Sequence, residues 1–139
     1  MKMWQKVARL RDSKDGMFTC ISCGATLPYE SSQGGHYITR QCLCTCNDMD
    51  NINAQCGTCN VLMNGNLVGY RRGLIAKIGE ERVNRLELMF LASRGSEEAL
   101  KNLSQEDRCK VGEKRSKRYW DDDYNKAKAE YDRLETRLR

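Results

Sequence analysis

Apolar positions recur at three- and four-residue intervals in several stretches of the chain, and that spacing predicts helices. Trp4, Val7 and Ala8 share one face of a short amphipathic segment over residues 3–12, which Asp15-Gly16 ends. Cys59, Asn60, Met63 and Asn64 begin a helical pattern with Gly65 as a natural C-cap. Leu67, Tyr70, Leu74, Ile75 and Ile78 trace a clearer stripe, Gly79 interrupts it, and Val83, Leu86, Met89 and Phe90 trace another as far as Ser93. At the far end Trp120, Tyr124, Ala127, Tyr131, Leu134 and Leu138 are spaced 4, 3, 4, 3 and 4 apart. That is a heptad seam of fewer than three repeats, suited to a second chain or to the protein's own core. The stripes over residues 67–93 are core faces.

Strand formers gather in His36-Tyr37-Ile38-Thr39-Arg40, where His36, Ile38 and Arg40 would share one face. Residues 27–35 read as a loop from their turn-forming residues. Residues 94–118 are polar, basic and weakly periodic, with a possible helix start at Ser96. The patterning therefore divides the chain into a core over 1–94 and a basic linker with a C-terminal helix over 95–139, an arm for dimerisation or DNA contact.

The eight cysteines change this picture, because the chain shows neither a signal peptide nor the apolar run of roughly 20 residues that crosses a bilayer. A reducing compartment is expected, where closely spaced cysteines bind metal more often than they pair. Cys20, Cys23, Cys56 and Cys59 form two Cys-x2-Cys pairs, enough for a closed tetrahedral Zn²⁺ site. The 32 residues between the pairs exceed an ordinary zinc-ribbon loop and must hold structure of their own. Cys42, Cys44 and Cys46 alternate, a poor zinc-chelating spacing that favours buried thiols over ligands, and Cys109 stands alone.

Charge adds a candidate partner. The net charge is +5, and residues 1–15 carry +3, 16–63 −2, 64–95 +3 and 101–118 +4, with the acidic remainder elsewhere. Basic flanks suit a phosphate backbone, and a mildly acidic centre suits a divalent cation. Arg40, Arg71, Arg72, Lys77, Lys114, Arg115, Lys117 and Arg118 are the candidate DNA contacts.

His36 is the only histidine, and it sits in the loop pinned by the cysteine pairs. Phosphodiester hydrolysis needs an activated water and a cation at the leaving oxygen. A neutral imidazole suits the first task, and oxygen-held Mg²⁺ or Mn²⁺ suits the second. Asn51 is placed to orient the imidazole through its carbonyl, and Asn60, Asn64, Asp48 and Asp50 could hold the cation. The bland alternative for His36 is a satisfied structural histidine.

Together these residues carry a family resemblance. Cys20-x2-Cys23, then Gly35-His36, then Asn51-x4-Cys56-x2-Cys59-Asn60 resembles an HNH endonuclease of the ββα-metal type. More closely, Arg9-Leu10-Arg11-Asp12, Gly35-His36-Tyr37-Ile38, Asn51-Ile52-Asn53-Ala54-Gln55-Cys56, Gly65-Asn66, Tyr70-Arg71 and Ile78-Gly79-Glu80-Glu81 resemble the phage recombination endonucleases called NinG or Rap. The resemblance covers roughly residues 9–88. It implies an α+β fold: a small zinc-stapled ββα-metal core with flanking helices and a C-terminal helical arm. It also implies a metal-dependent endonuclease cutting branched recombination intermediates such as Holliday junctions and D-loops in the host cytoplasm. His36 would be the general base and Asn51 the orienting asparagine. Gly35 stands where many HNH enzymes carry a metal-binding Asp, and Asn60 where many carry His. Two rivals remain: a non-catalytic zinc-ribbon DNA-binding accessory protein, which those departures favour, and a redox or zinc-handling protein using Cys42, Cys44 and Cys46.

Overall fold

The computed structural model describes residues 2–138 and has an α+β architecture of two small sheets and six helices. Helix α1 spans Lys2–Arg11 and buries Val7, Ala8 and Leu10, the face its apolar spacing predicts. Three short antiparallel strands follow: β1 (Ser13–Lys14), β2 (Met17–Thr19) and β3 (Thr26–Pro28), in that spatial order. One turn of 3₁₀ helix at Tyr29–Ser31 then feeds strand β4 (Ser32–His36).

Strand β4 pairs antiparallel with β5 (Ile52–Cys56), in the register Gln33 opposite Gln55, Gly35 opposite Asn53 and His36 opposite Ile52. This hairpin is the centre of the molecule, and all five residues of β5 are buried. It also differs from the sequence expectation. The strand ends at His36 instead of beginning there, and Gly34-Gly35 lie inside it. The cause is tertiary. A Cβ on Gly34 would stand 2.7 Å from Cβ of Gln5 on α1, and one on Gly35 would stand 1.9 Å from Oε1 of Gln55. Only glycine lets those groups approach so closely.

After β5 the chain makes one wide π turn at Thr58–Leu62 and reverses at Gly65, whose φ is +94°. Helix α2 (Leu67–Ile78) and helix α3 (Glu80–Ser93) are separated by Gly79, with φ at +91°, as the break in the stripe predicts. Tyr70, Leu74, Val83 and Leu86 form the core between them. Helix α1 packs on the hairpin, and Tyr70 of α2 reaches it with its hydroxyl, which donates to the Gly35 carbonyl at 2.7 Å.

The segment read as a basic linker folds as two short helices, α4 (Glu97–Lys101) and α5 (Gln105–Gly112). Each starts with a serine cap, Ser96 accepting from the Ala99 N–H and Ser104 from the Asp107 N–H. Both pack on α3. Helix α6 (Lys117–Leu138) lies along α1, with Ala127 buried and Trp4 Nε1 donating to the Asp123 carboxylate at 3.0 Å. Part of the heptad seam is thus used inside the chain, while Tyr124 and Leu138 stay exposed. Among the described residues no helix is long and apolar enough to cross a membrane.

Candidate metal centre and the adjoining histidine cleft

Two tight turns aim four thiols at one point. Sγ atoms of Cys20, Cys23, Cys56 and Cys59 all lie within 4.8 Å of one another, and Cys23 and Cys56 are 3.9 Å apart. A tetrahedral Zn–S distance of about 2.3 Å implies sulfur–sulfur edges of about 3.8 Å, so the four residues fit a structural metal such as zinc. The backbone is shaped for thiolates: the Cys56 N–H donates to Cys20 Sγ at 3.3 Å and the Cys59 N–H to Cys56 Sγ at 3.4 Å. Asn66 Nδ2 donates to Cys59 Sγ at 3.4 Å. Burial opposes ionisation of Cys20, yet N–H groups around it win and bring its thiol down to about 7. The cluster joins β2, the hairpin and the π turn, with Phe18, Ala54 and Leu27 packed around the sulfurs. It is the one cluster of this kind among the described residues.

Cys42 and Cys44 do not join it. They sit in turns of the 37–51 loop, packed against Met89 and Leu103 with their sulfurs 3.4 Å apart, while Cys46 is fully buried. Cys109 is exposed.

His36 lies at the end of β4 and lines an open cleft with Arg40, Asn60 and Asn64. Its Nε2 is 2.8 Å from the Cys46 carbonyl oxygen. A carbonyl can only accept, so Nε2 carries the hydrogen and Nδ1 keeps a lone pair. Burial, aided by Arg40, holds the imidazole below its ordinary pKa despite that bond, so the ring is neutral at pH 7.

Asn51 makes no hydrogen bond to the ring. Its Oδ1 accepts from the Ile38 N–H at 2.7 Å, and its Nδ2 donates to the carbonyls of Ile38 and Thr45, both at 3.0 Å. The expected orienting role through its carbonyl thus falls to Cys46, and Asn51 instead pins the loop that carries Cys46. Sequence reasoning missed this backbone group because no side-chain motif marks it.

The chain matches the family model described as "Bacteriophage Lambda NinG protein" over residues 1–118. The chain belongs to the NinG family. It is 36% identical over 106 residues to "Protein ninG" of Escherichia phage lambda and, to the same extent, to that of Salmonella phage P22. Each match covers 76% of this chain and 52% of the relative. It is 43% identical over 75 residues to "Protein ninG" of Escherichia phage 933W, covering 53% of this chain and 37% of the relative. The chain thus spans about half, or less, of the length of the curated relatives it matches. No solved structure matches it.

Within this NinG-family chain the remaining predicted site residues separate into two groups. Asn60 and Asn64 do line the His36 cleft. Asp48 and Asp50 do not, because Arg85 holds Asp48 at 2.8 Å and Arg82 grips Asp50. Both carboxylates face a different concavity, with Lys110 and Tyr119. Of the basic candidates, Arg40, Arg72, Lys114, Lys117 and Arg118 are exposed. Three others have internal partners. Arg71 pairs with Glu87 at 3.1 Å, and Lys77 bonds Asp12 at 2.7 Å and Asn53 at 2.6 Å. Arg115 lies against Tyr119 and Trp120, with its guanidinium carbon 4.8 and 5.5 Å from their ring centres.

Proposed function

We propose that this chain is an HNH-like, metal-dependent endonuclease that hydrolyses phosphodiester bonds in branched DNA such as Holliday junctions and D-loops. The observation that carries the reading is His36, which lines an open cleft while its Nε2 bonds the Cys46 carbonyl, an arrangement that leaves Nδ1 as the ring's base. Further support comes from a β-hairpin leading through a π turn into a helix, stapled by four cysteines, which is the layout expected of a ββα-metal core. Branched DNA as the substrate rests on the motif resemblance, and the exposed basic side chains are compatible with it.

In this reading Nδ1 of His36 takes a proton from water as its oxygen attacks phosphorus in line. The P–O bond to the leaving oxygen breaks, and the imidazolium returns its proton to solvent. Arg40, exposed at the rim of the cleft, holds a phosphate against the site. Asn60 and Asn64 supply oxygens for Mg²⁺ or Mn²⁺, which when bound stabilises the charge of the leaving oxygen. Asn51 keeps the 37–51 loop, and with it the Cys46 carbonyl, in place. A structural zinc at Cys20, Cys23, Cys56 and Cys59 holds the hairpin against the π turn.

One observation favours a second reading, a non-catalytic zinc-dependent DNA-binding module: no carboxylate lines the His36 cleft among the described residues. Incubating zinc-loaded protein with a four-way junction and with linear duplex, in Mg²⁺, Mn²⁺ and EDTA, separates the two. The nuclease reading expects metal-dependent cutting that favours the junction. Tight junction binding without cutting in either metal selects the binding module.

A further inference from the structure

Ten large apolar side chains are exposed among the described residues, and five of them, Val61, Leu62, Met63, Leu67 and Val68, fall within eight residues of sequence. Leu62 and Val68 are each 78% exposed. Leu67, which its spacing marks as the first core position of its stripe, is half exposed instead. Single exposed apolar side chains are ordinary, but a contiguous group marks an interaction surface.

The backbone holds these side chains out. The π turn carries Val61 and Leu62, and it closes through the Met63 N–H to the Thr58 carbonyl at 2.9 Å and the Gly65 N–H to the Cys59 carbonyl at 2.8 Å. Cys59 is buried in the cysteine cluster, so the turn is stapled at its base. Helix α2 rests so closely against the first cysteine pair that a Cβ on Gly73 would stand 1.9 Å from the Ile21 carbonyl oxygen. The apolar side chains therefore crown a firm knuckle. That knuckle borders the candidate site, because Asn60, Asn64, Gly65 and Leu67 of the same segment line the cleft of His36 and Arg40. Its own charge has one sign: no Asp or Glu occurs between residues 51 and 79, and Arg72, one turn beyond Val68 on the same helix face, is exposed.

We propose that this apolar knuckle enters an opened base step at a DNA branch point, with Arg72 and Arg40 on flanking phosphates. Apolar side chains that part a base step work against the lost stacking, and that cost is least where pairing is already interrupted. A wedge beside the cleft therefore discriminates: a continuous duplex must be unstacked to admit it, a branch point much less so. A second copy seated face to face on the knuckle would bring the cations of both copies together and close the cleft, so the phosphates of DNA are the better charge match. This deepens the nuclease reading and takes from it only DNA as the partner.

The test is the fluorescence of 2-aminopurine placed at the branch or in mid-arm of a four-way junction, titrated with the zinc-loaded full chain without added Mg²⁺ or Mn²⁺. Binding should raise the signal of the branch probe, as its base unstacks, and leave the mid-arm probe unchanged. Leu62→Ser combined with Val68→Ser alters two largely solvent-facing side chains. The double variant should lose the rise and bind the junction about tenfold or more weakly, with linear duplex binding unchanged. Leu91→Ser, at an exposed position on α3, should change neither. No rise at the branch, a rise that the double variant keeps, or an equal loss on junction and duplex would overturn the wedge. So would a dimer, seen by sedimentation, that the double variant dissolves, since the knuckle would then belong to a second copy. The two readings fail separately, because the fluorescence is read without cutting. Cutting in Mn²⁺ without the branch signal keeps the nuclease and sinks the wedge, whereas the branch signal without cutting in either metal does the reverse.

Discussion

Replacing Asn51 with Asp changes almost no volume, yet it should be among the most damaging substitutions in the chain. Asn51 is fully buried, and its amide nitrogen alone satisfies the side-chain bonds to the carbonyls of Ile38 and Thr45. A carboxylate has no hydrogen to give, so it would leave the Ile38 carbonyl without its side-chain donor, leave Thr45 only the Asp48 N–H, and face both oxygens with charge. The orphaned Ile38 carbonyl costs about 1–3 kcal/mol and the unpaired buried charge adds more, so the loss is about 4 kcal/mol, a large share of the roughly 5–15 kcal/mol that holds a domain together. For a chain of this size that corresponds to a fall in Tm of roughly 15 °C. Urea unfolding of zinc-loaded wild type and Asn51→Asp at pH 8 gives the difference directly. The pH dependence adds a signature. The buried carboxyl of the variant would have its pKa raised, so it is stabilising when protonated and loses that contribution as pH rises through the raised value. The deficit against wild type should therefore be smaller at pH 5 than at pH 8. A deficit below about 1 kcal/mol at pH 8 would refute the claim that hydrogen bonding, not shape, makes Asn51 hold the loop.

Zinc-loaded protein should release one metal per chain when its thiols are blocked, and Cys20→Ser should lose metal and structure together; a chromophoric chelator reads the first and circular dichroism the second. Tyr70→Phe removes the hydroxyl that donates to the Gly35 carbonyl and accepts from Asn53 Nδ2, and should cost about 1–3 kcal/mol in urea, with a neutral result contradicting the hairpin contact. Burial of Asp12 is outweighed by Arg11 and Lys77, which hold its carboxyl below the ordinary range. Its folded pKa is depressed, so its contribution is present above the unfolded value and lost as pH falls through the lowered one. Asp12→Asn should accordingly flatten the acid limb of a stability–pH profile. His36 is likewise depressed by burial, so cleavage should be flat above its ordinary pKa and fall only below it; a profile still rising through pH 7.5 would point to another base.

Local rules made part of this protein readable from its residues. Metal-ligand spacing is a short-range property, and the two Cys-x2-Cys pairs do meet in space. Helix stripes and the Gly79 break are also local, and they appear where their periodicity places them. What stayed hidden depends on partners distant in sequence. Gly34-Gly35 read as a loop because glycine usually marks one, but Gln5 and Gln55 press on those positions inside a strand. Asp48 and Asp50 read as cation ligands because Arg85 and Arg82 are more than thirty residues away. Lys77 and Arg115 read as phosphate contacts, whereas Asp12 and two aromatic rings occupy them. The Cys46 carbonyl carries no sequence signature at all.

The most direct test of the account compares wild type with His36→Ala on one four-way junction, measuring cleavage in Mn²⁺ and affinity in EDTA. The account predicts that the variant binds the junction as wild type does and that its cleavage falls by a factor of 10²–10⁴, the usual contribution of a positioned general base. Cleavage that survives the substitution, or binding lost together with it, would contradict the assignment and return His36 to a structural role.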